Sequence, residues 1–254
     1  MQDIRSSGKR TAFVTGASYG IGAATALALA HDGFDVAVSA TRVENLSDVV
    51  AKLTSIGARV LPVALNLDSN SAIEQAMATV TDAFGRVDVL VNNAGVSKRT
   101  AAVEITPEEW ETAMQTNVAG TFFMCQQMGR HLIGGGQPGC IVNMASTHGV
   151  VGLALRVLYG TSKAAIIHMT KMLAVEWAEH GIRVNSIAPG TVETPSRAAF
   201  LADPSTRETM LNRVPLHRFG TAEEVAAGVR YLVSPEAAYI TGHTLMMDGG
   251  LTAY

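Results

Sequence analysis

Thr11-Ala12-Phe13-Val14-Thr15-Gly16-Ala17-Ser18-Tyr19-Gly20-Ile21-Gly22 is the stretch on which the fold turns. It opens as an apolar β-rich run, breaks at glycines spaced GxxxGxG, and passes straight into the Ala-rich, helically spaced run Ala23–His31. Gly16, Gly20 and Gly22 permit a tight turn, a close backbone approach to a ligand, and close packing of helix on strand. The helix N-terminus then presents free N–H groups and a partial positive charge. Such a turn suits a pyrophosphate, although the spacing differs from the GxGxxG of the usual nucleotide fingerprint.

Outward from this unit, β-rich runs recur at Asp35–Ser39, Arg59–Leu65, Val87–Val91, Cys140–Met144, Ile182–Ile187 and His243–Met247, with helically spaced stretches such as Ala164–Glu179 between them. Alternation of this kind predicts right-handed βαβ units. The expected fold is therefore an α/β, Rossmann-type, doubly wound, mostly parallel seven-stranded sheet with helices on both faces. Capping-box spacing marks helix starts at Thr106-Pro107-Glu108-Glu109, Ser71-Ala72-Ile73-Glu74 and Thr221-Ala222-Glu223-Glu224. No linker or repeat interrupts the pattern, so residues 1–254 read as one domain. Gly134 to Gly139 reads as a surface turn. Gly190 to Val214, broken by Pro195 and Pro204, reads as a substrate lid.

The 254 residues are 48% hydrophobic and 16% charged, which suits a sheet buried on both faces. A net charge of −3 and the absence of a basic cluster exclude a nucleic-acid footprint. No apolar run approaches a membrane span, and Met1 to Arg10 lacks the apolar centre of a signal peptide. Cys125 and Cys140, with no CxxC spacing, read as buried thiols. A cytoplasmic protein without a membrane or nucleic-acid partner is expected, and no cluster with metal-ligand spacing is present.

Further motifs stand in order along the chain. They are Asn92-Asn93-Ala94-Gly95, Asn117, Ser146, Tyr159-Gly160-Thr161-Ser162-Lys163, Asn185-Ser186-Ile187-Ala188-Pro189-Gly190 and Asp248-Gly249-Gly250. With the glycine turn, this set resembles the short-chain dehydrogenase/reductase family from about Lys9 onward. The resemblance implies an oxidoreductase that interconverts a carbonyl and an alcohol with a nicotinamide cofactor. It implies catalytic roles for Asn117, Ser146, Tyr159 and Lys163. Cofactor contacts are implied at Gly16, Ser18, Tyr19, Gly20, Ile21 and Gly22, at Asn66 and Leu67 beside the adenine, and at Asn93, Ala94 and Gly95. Pro189, Gly190, Val192 and Thr194 complete the set, together with Tyr159 and Lys163 themselves.

The residues supply a chemical reason for the central pair. Tyr159 and Lys163, four apart, share a helical face. A carbonyl reduced by hydride must receive a proton, free tyrosine titrates near 10, and an ammonium nearby favours phenolate. Ser146 can hydrogen-bond the substrate oxygen. By resemblance, Asn117 supports a water chain to Lys163. The second strand ends Val38-Ser39-Ala40-Thr41-Arg42 without the carboxylate that selects NAD. Thr41 and Arg42 can instead bond a 2′-phosphate, so NADP(H) is preferred, with NAD(H) the alternative.

Substrate contacts are expected from Thr147–Leu158 and the lid, with His148, Arg156 and Glu193 as candidates. The C-terminal third resembles 3-oxoacyl-(acyl carrier protein) reductases. However, Glu176-Trp177-Ala178-Glu179-His180 is acidic where an acidic carrier would dock, although Arg130 and His131 lie on the preceding helix. A small keto or hydroxy compound, sugar or polyol therefore stays open as substrate, as does a non-catalytic NADP(H) sensor. The family resemblance also implies a homodimer or homotetramer.

Overall fold

The computed structural model describes residues 8–253; Tyr254 and the first seven residues of the N-terminal stretch read above lie outside the described residues. Seven parallel strands form one sheet in the order β3-β2-β1-β4-β5-β6-β7. They are β1 (Thr11–Val14), β2 (Asp35–Ala40), β3 (Val60–Ala64), β4 (Val89–Asn92), β5 (Gly139–Met144), β6 (Ile182–Pro189) and β7 (Thr244–Met247). This is the doubly wound sheet that the alternation predicts. Period-2 alternation sends Ala12, Val14, Val36 and Val38 to one face and Phe13 and Ala37 to the other. Both faces are apolar because both are covered.

One face is covered by α1 (Gly20–His31), α2 (Ser47–Ser55) and α9 (Ala222–Val233). The other is covered by α3 (Asn70–Phe84), α5 (Gly120–Gly134) and α6 (Val157–Trp177). Phe13, Leu90 and Ile141 are fully buried, each worth about 1.5–3 kcal/mol of transfer free energy. The strand order reverses between β1 and β4, which places a crevice beyond the carboxyl ends of the central strands.

Three local expectations change. The start of α3 is capped by Ser69, whose side chain accepts from the Ala72 N–H, so the Ser71 capping box does not form. In α4 (Pro107–Met114) Thr106 caps as expected, but Glu109 turns away to pair with Lys98. Only Thr221 and Glu224 close a full reciprocal box. The stretch from 190 to 214 is largely helical. It holds α7 (Pro195–Leu201) and α8 (Pro204–Leu211), where each proline stands in the first turn and starts a helix rather than breaking one. Cys125 and Cys140 are buried free thiols, pushed up to about 12 and about 11 by burial. Among the described residues no helix is long and apolar enough to cross a membrane.

Candidate active site

The glycine turn lies at the switch point and is bound to both neighbouring strands. Ala17 donates to the Ser39 carbonyl at 2.9 Å, and the Asn93 side-chain amide donates to the Gly16 and Thr15 carbonyls at 2.8 and 3.1 Å. The Thr15 hydroxyl oxygen accepts from the backbone N–H groups of Asn93 and Ala94. Gly16 has φ +64°, and a Cβ there would stand 2.8 Å from Ala94 Cα. Only glycine fits such a position. At the start of α1, Tyr19 provides no side-chain cap and the first turn holds no acidic residue. The N–H groups of Ile21 and Gly22 therefore remain available to an anion. Ser18 lies within the same turn. Ser39 contributes a buried hydroxyl with no protein partner at the end of β2. A phosphate pair suits this cradle.

Thr41 and Arg42 are exposed directly after β2, and Arg42 has no ionic partner among the described residues. Asn66 is exposed after β3, its carbonyl oxygen accepting from Asp68 N–H at 3.1 Å. Leu67 is buried, with its Cβ and its carbonyl against Gly120. Pro189 ends β6, and Gly190 abuts Asp248 so closely that a Cβ would meet it at 3.0 Å. Val192 is buried and bridges to Gly220. Thr194 stands at the N-cap position of α7 without a side-chain cap bond, and its methyl group lies where a Cβ on Gly20 would touch it at 3.3 Å. The turn and the base of α7 thus border one space.

Tyr159 and Lys163 project from the first turns of α6. The Lys163 ammonium is buried, donates to the Met144 carbonyl at 2.7 Å, and lies 5.6 Å from the centre of the Tyr159 ring. Burial pushes its pKa down, while Tyr159 pulls it back up. Ser146, two residues beyond Met144, is buried and accepts from His148 N–H at 3.2 Å. The short turn Thr147–Gly149 is pressed onto α6: a Cβ on Gly160 would meet the His148 carbonyl at 2.8 Å.

Asn117 sits in a π-helical turn, Gln115–Ala119, between α4 and α5. Single π turns often occur at functional sites. This one aims the buried Asn117 amide across at Val96, whose N–H donates to its oxygen at 2.8 Å, and at Ser162, whose hydroxyl accepts at 3.0 Å. Ser162 in turn donates to the Tyr159 carbonyl. Gly95 lies in the gap between Asn117 and Lys163: a Cβ there would stand 3.0 Å from the amide oxygen and 3.7 Å from the ammonium. Asn117 is thus tied through Ser162 to the backbone of Tyr159, and Lys163 lies beside the Tyr159 ring, while Ser146 is bonded to the turn that packs on the same helix. Asn92 has an architectural part, donating to Asn143 across β4 and β5.

Of the three substrate candidates, two adjoin Tyr159. The His148 ring meets the Tyr159 ring edge-on at 6.3 Å, and the Arg156 guanidinium stands 5.6 Å above it. Glu193 is paired with Arg207 of α8 at 2.8 Å on the surface. Reading by position alone missed Ser97, Met144 and Ser162, which hold Arg156, Lys163 and Asn117. Their partners are distant in sequence, and serine carries no spacing signal. His131 accepts from the Val87 N–H and has its pKa lowered by burial, so it offers no charge to a docking carrier. A separate apolar groove lies between Trp110, Met114, Val118, Phe122 and Met169.

Burial, then Arg156, Arg197, Arg213 and Arg99, push the His148 pKa down to about 4. The unfolded chain, with a histidine near 6.5, then takes up the proton first. The group's contribution is full above about pH 6.5 and is lost as pH falls toward about 4. Solvent screening holds it to about 1–2 kcal/mol. His148→Gln should flatten the acid limb of a Tm-against-pH curve in that window. An unchanged limb would mean that His148 titrates as an ordinary surface histidine.

Residues 16–252 match the family model described as enoyl-(acyl carrier protein) reductase. A 3-oxoacyl-[acyl-carrier-protein] reductase of Thermotoga maritima is 38% identical over 248 residues, spanning 98% of this chain and 99% of that protein. A glucose 1-dehydrogenase of Gluconobacter oxydans is 35% identical over 251 residues, spanning 98% and 94%. A solved structure provisionally assigned as a 2-deoxy-D-gluconate 3-dehydrogenase from Agrobacterium tumefaciens, with bound NADP, aligns over 100% of both chains with TM-score 0.91 at 33% identity. Thioester and sugar enzymes thus stand at similar distances, so the likeness carries the reaction class further than the substrate.

Proposed function

The chain belongs to the short-chain dehydrogenase/reductase family and is an oxidoreductase acting on CH–OH groups; on that premise we propose that it uses NADP(H), with Tyr159 as the proton-transfer residue. The observation that carries this reading is the buried Lys163 ammonium, held by Met144 one helical turn from Tyr159. A positive charge kept out of water beside a phenol stabilises the phenolate that forms when the proton leaves. Ser146 is oriented at the end of β5 to donate its hydroxyl proton to the substrate oxygen. Asn117 braces the loop at Val96 and the Tyr159 turn, keeping a path open from Lys163 toward solvent.

The cofactor would be held by the turn from Gly16 to Gly22, by Asn66 and Leu67, by Asn93 to Gly95, and by Pro189, Gly190, Val192 and Thr194. When bound, it supplies or accepts a hydride at the substrate carbon. The residues that follow β2 favour the phosphorylated form: no carboxylate repels a 2′-phosphate, and Arg42 is free to pair with one. The Agrobacterium tumefaciens relative, which carries NADP, supports the same choice. The substrate is a 3-oxoacyl thioester or a small keto or hydroxy compound.

The test is a comparison of kcat/KM with NADPH and NADH. NADPH should be preferred, and Arg42→Ala should narrow that preference by about tenfold or more, as loss of a charge-assisted bond to a phosphate costs about 1.5–3 kcal/mol. A clear NADH preference in the unaltered protein would overturn the cofactor assignment.

A further inference from the structure

Around the outer side of Tyr159 the charge is one-sided. Arg156 stands over its ring, and the Ser97 hydroxyl accepts from Arg156 Nη1 at 2.7 Å. Arg99, two residues beyond Ser97, packs its guanidinium 4.0 Å from the Phe200 ring of α7, the helix that also carries Arg197. The Thr100 N–H donates to the Leu155 carbonyl, tying the two arginine segments together. Arg99, Arg156, Arg197 and Arg213 all bear electrostatically on His148. None of the four pairs with a carboxylate among the described residues. In a chain of net charge −3 that concentration is a local exception. Like charges gathered without a partner cost free energy unless a ligand supplies the opposite sign.

Two unpaired polar atoms mark where such a ligand would bind. Arg156 Nε is buried and has no partner, and so is His148 Nδ1. With Nη1 committed to Ser97, the donors of Arg156 left to a ligand are on the Nε–Nη2 side, where two N–H groups lie parallel. That geometry matches the two oxygens of a planar carboxylate. The residue before Arg156, Leu155, is held at φ +64°, a region a leucine seldom adopts. The main chain is thus strained where it delivers Arg156 to the Tyr159 ring, a strain that persists only where surrounding contacts impose it.

We propose that the substrate of this site is a short oxo or hydroxy acid, whose carboxylate is received by the free edge of Arg156, with Arg99 and Arg197 supplying the surrounding positive field. The inference rests on the oxidoreductase reading above and narrows its substrate class. Arg156 is a specificity-determining residue in this account. It fixes the carboxylate so that the neighbouring carbonyl meets Ser146 and Tyr159. The bond is made alike in ground and transition states, so its loss falls mainly on KM.

The experiment uses the full chain with NADPH and a series of 2-, 3- and 4-oxo acids, each beside its methyl ester. The unaltered protein should prefer the acid of the best pair by about tenfold or more in kcat/KM, because an ester brings no negative charge to the Arg156 guanidinium and its buried Nε–H. Arg156→Gln should lower that acid-to-ester ratio by about tenfold or more, chiefly through KM for the acid. Arg99→Gln, farther from the ring, should lower it less, and it keeps the test alive if Arg156→Gln fails to fold. In parallel, millimolar oxo acid without cofactor should raise Tm of the unaltered protein and not of Arg156→Gln. Equal rates on acids and esters, or a ratio that Arg156→Gln leaves unchanged, would overturn the carboxylate assignment while the oxidoreductase reading stands. If NADPH binds but no carbonyl of either kind is reduced, that broader reading fails. The Tm arm then decides alone whether the arginines hold a carboxylate.

Discussion

Tyr159→Phe is expected to lower kcat by about 10³–10⁴-fold while NADPH still binds with a Kd within about twofold of the unaltered protein. Positioned general acid–base groups contribute about 10²–10⁴-fold. The upper part of that range applies because no other side chain described there takes over the proton transfer. His148, whose ring meets the phenol edge-on, is held neutral well below pH 7, and the arginines beside it stay protonated. Neither can pass a proton to an alkoxide at neutral pH. Phenylalanine keeps the ring, so the edge-on contact with His148 and the positions of Arg156 and Lys163 about its face remain. The Ser162 bond is to the Tyr159 backbone and is untouched. Loss of activity would therefore report the hydroxyl and not a rearranged site. Single-turnover reduction by bound NADPH, with a fluorescence titration for Kd, separates the two quantities. Turnover near normal in this variant would remove Tyr159 from the reaction. A chain that only senses NADP(H) would show no turnover to lose.

Much of the architecture was legible because it depends on local rules. Strands buried on both faces read as apolar runs, and the glycines between β1 and α1 stand where the backbone needs them. Legibility declined where a residue's meaning depends on partners far away in sequence. Pro195 and Pro204 look like breakers until each is seen in the first turn of a helix, the second of which Asp203 caps. Ser71 has the right spacing for a cap, but Ser69, two residues earlier, takes the position, since its backbone is extended where the helix begins. Glu193 looked available to a substrate, yet Arg207, fourteen residues on, reaches back to it once α8 forms. The motif residues Asn117, Ser146, Tyr159 and Lys163 could be picked out by order and spacing. The field of arginines could not, since Arg99, Arg156, Arg197 and Arg213 share no spacing and come near His148 only in the folded chain, where the loop after β4 holds Arg156 through Ser97 and meets α7 through Arg99.

Gly22→Ala should weaken NADPH binding by about 10–100-fold, although Gly22 makes no side-chain contact of its own. A Cβ at this position would stand 2.3 Å from the Gly16 carbonyl oxygen and 2.6 Å from the Asn93 amide nitrogen. Both are held: Asn93 donates to Gly16 O at 2.8 Å and to Thr15 O at 3.1 Å, and Ala17 is bonded to Ser39. No flexible side-chain end is available to yield, so either the turn opens or the first turn of α1 lifts from the sheet. Each movement carries the free N–H groups of α1 away from the phosphate position that the turn defines. Overpacking of this kind costs about 1–3 kcal/mol, and the same amount taken from binding is about 10–100-fold in Kd. Gly33→Ala serves as the contrast. At φ +87° with no atom within 4 Å of a built Cβ, it should cost about 1–2 kcal/mol of stability through backbone strain alone. Because Gly33 follows the far end of α1, the NADPH Kd should not change. Titrating both variants distinguishes a cradle that needs its geometry from a helix that is merely less stable. If Gly22→Ala bound NADPH as tightly as Gly33→Ala, the phosphates would have to be held somewhere other than this turn.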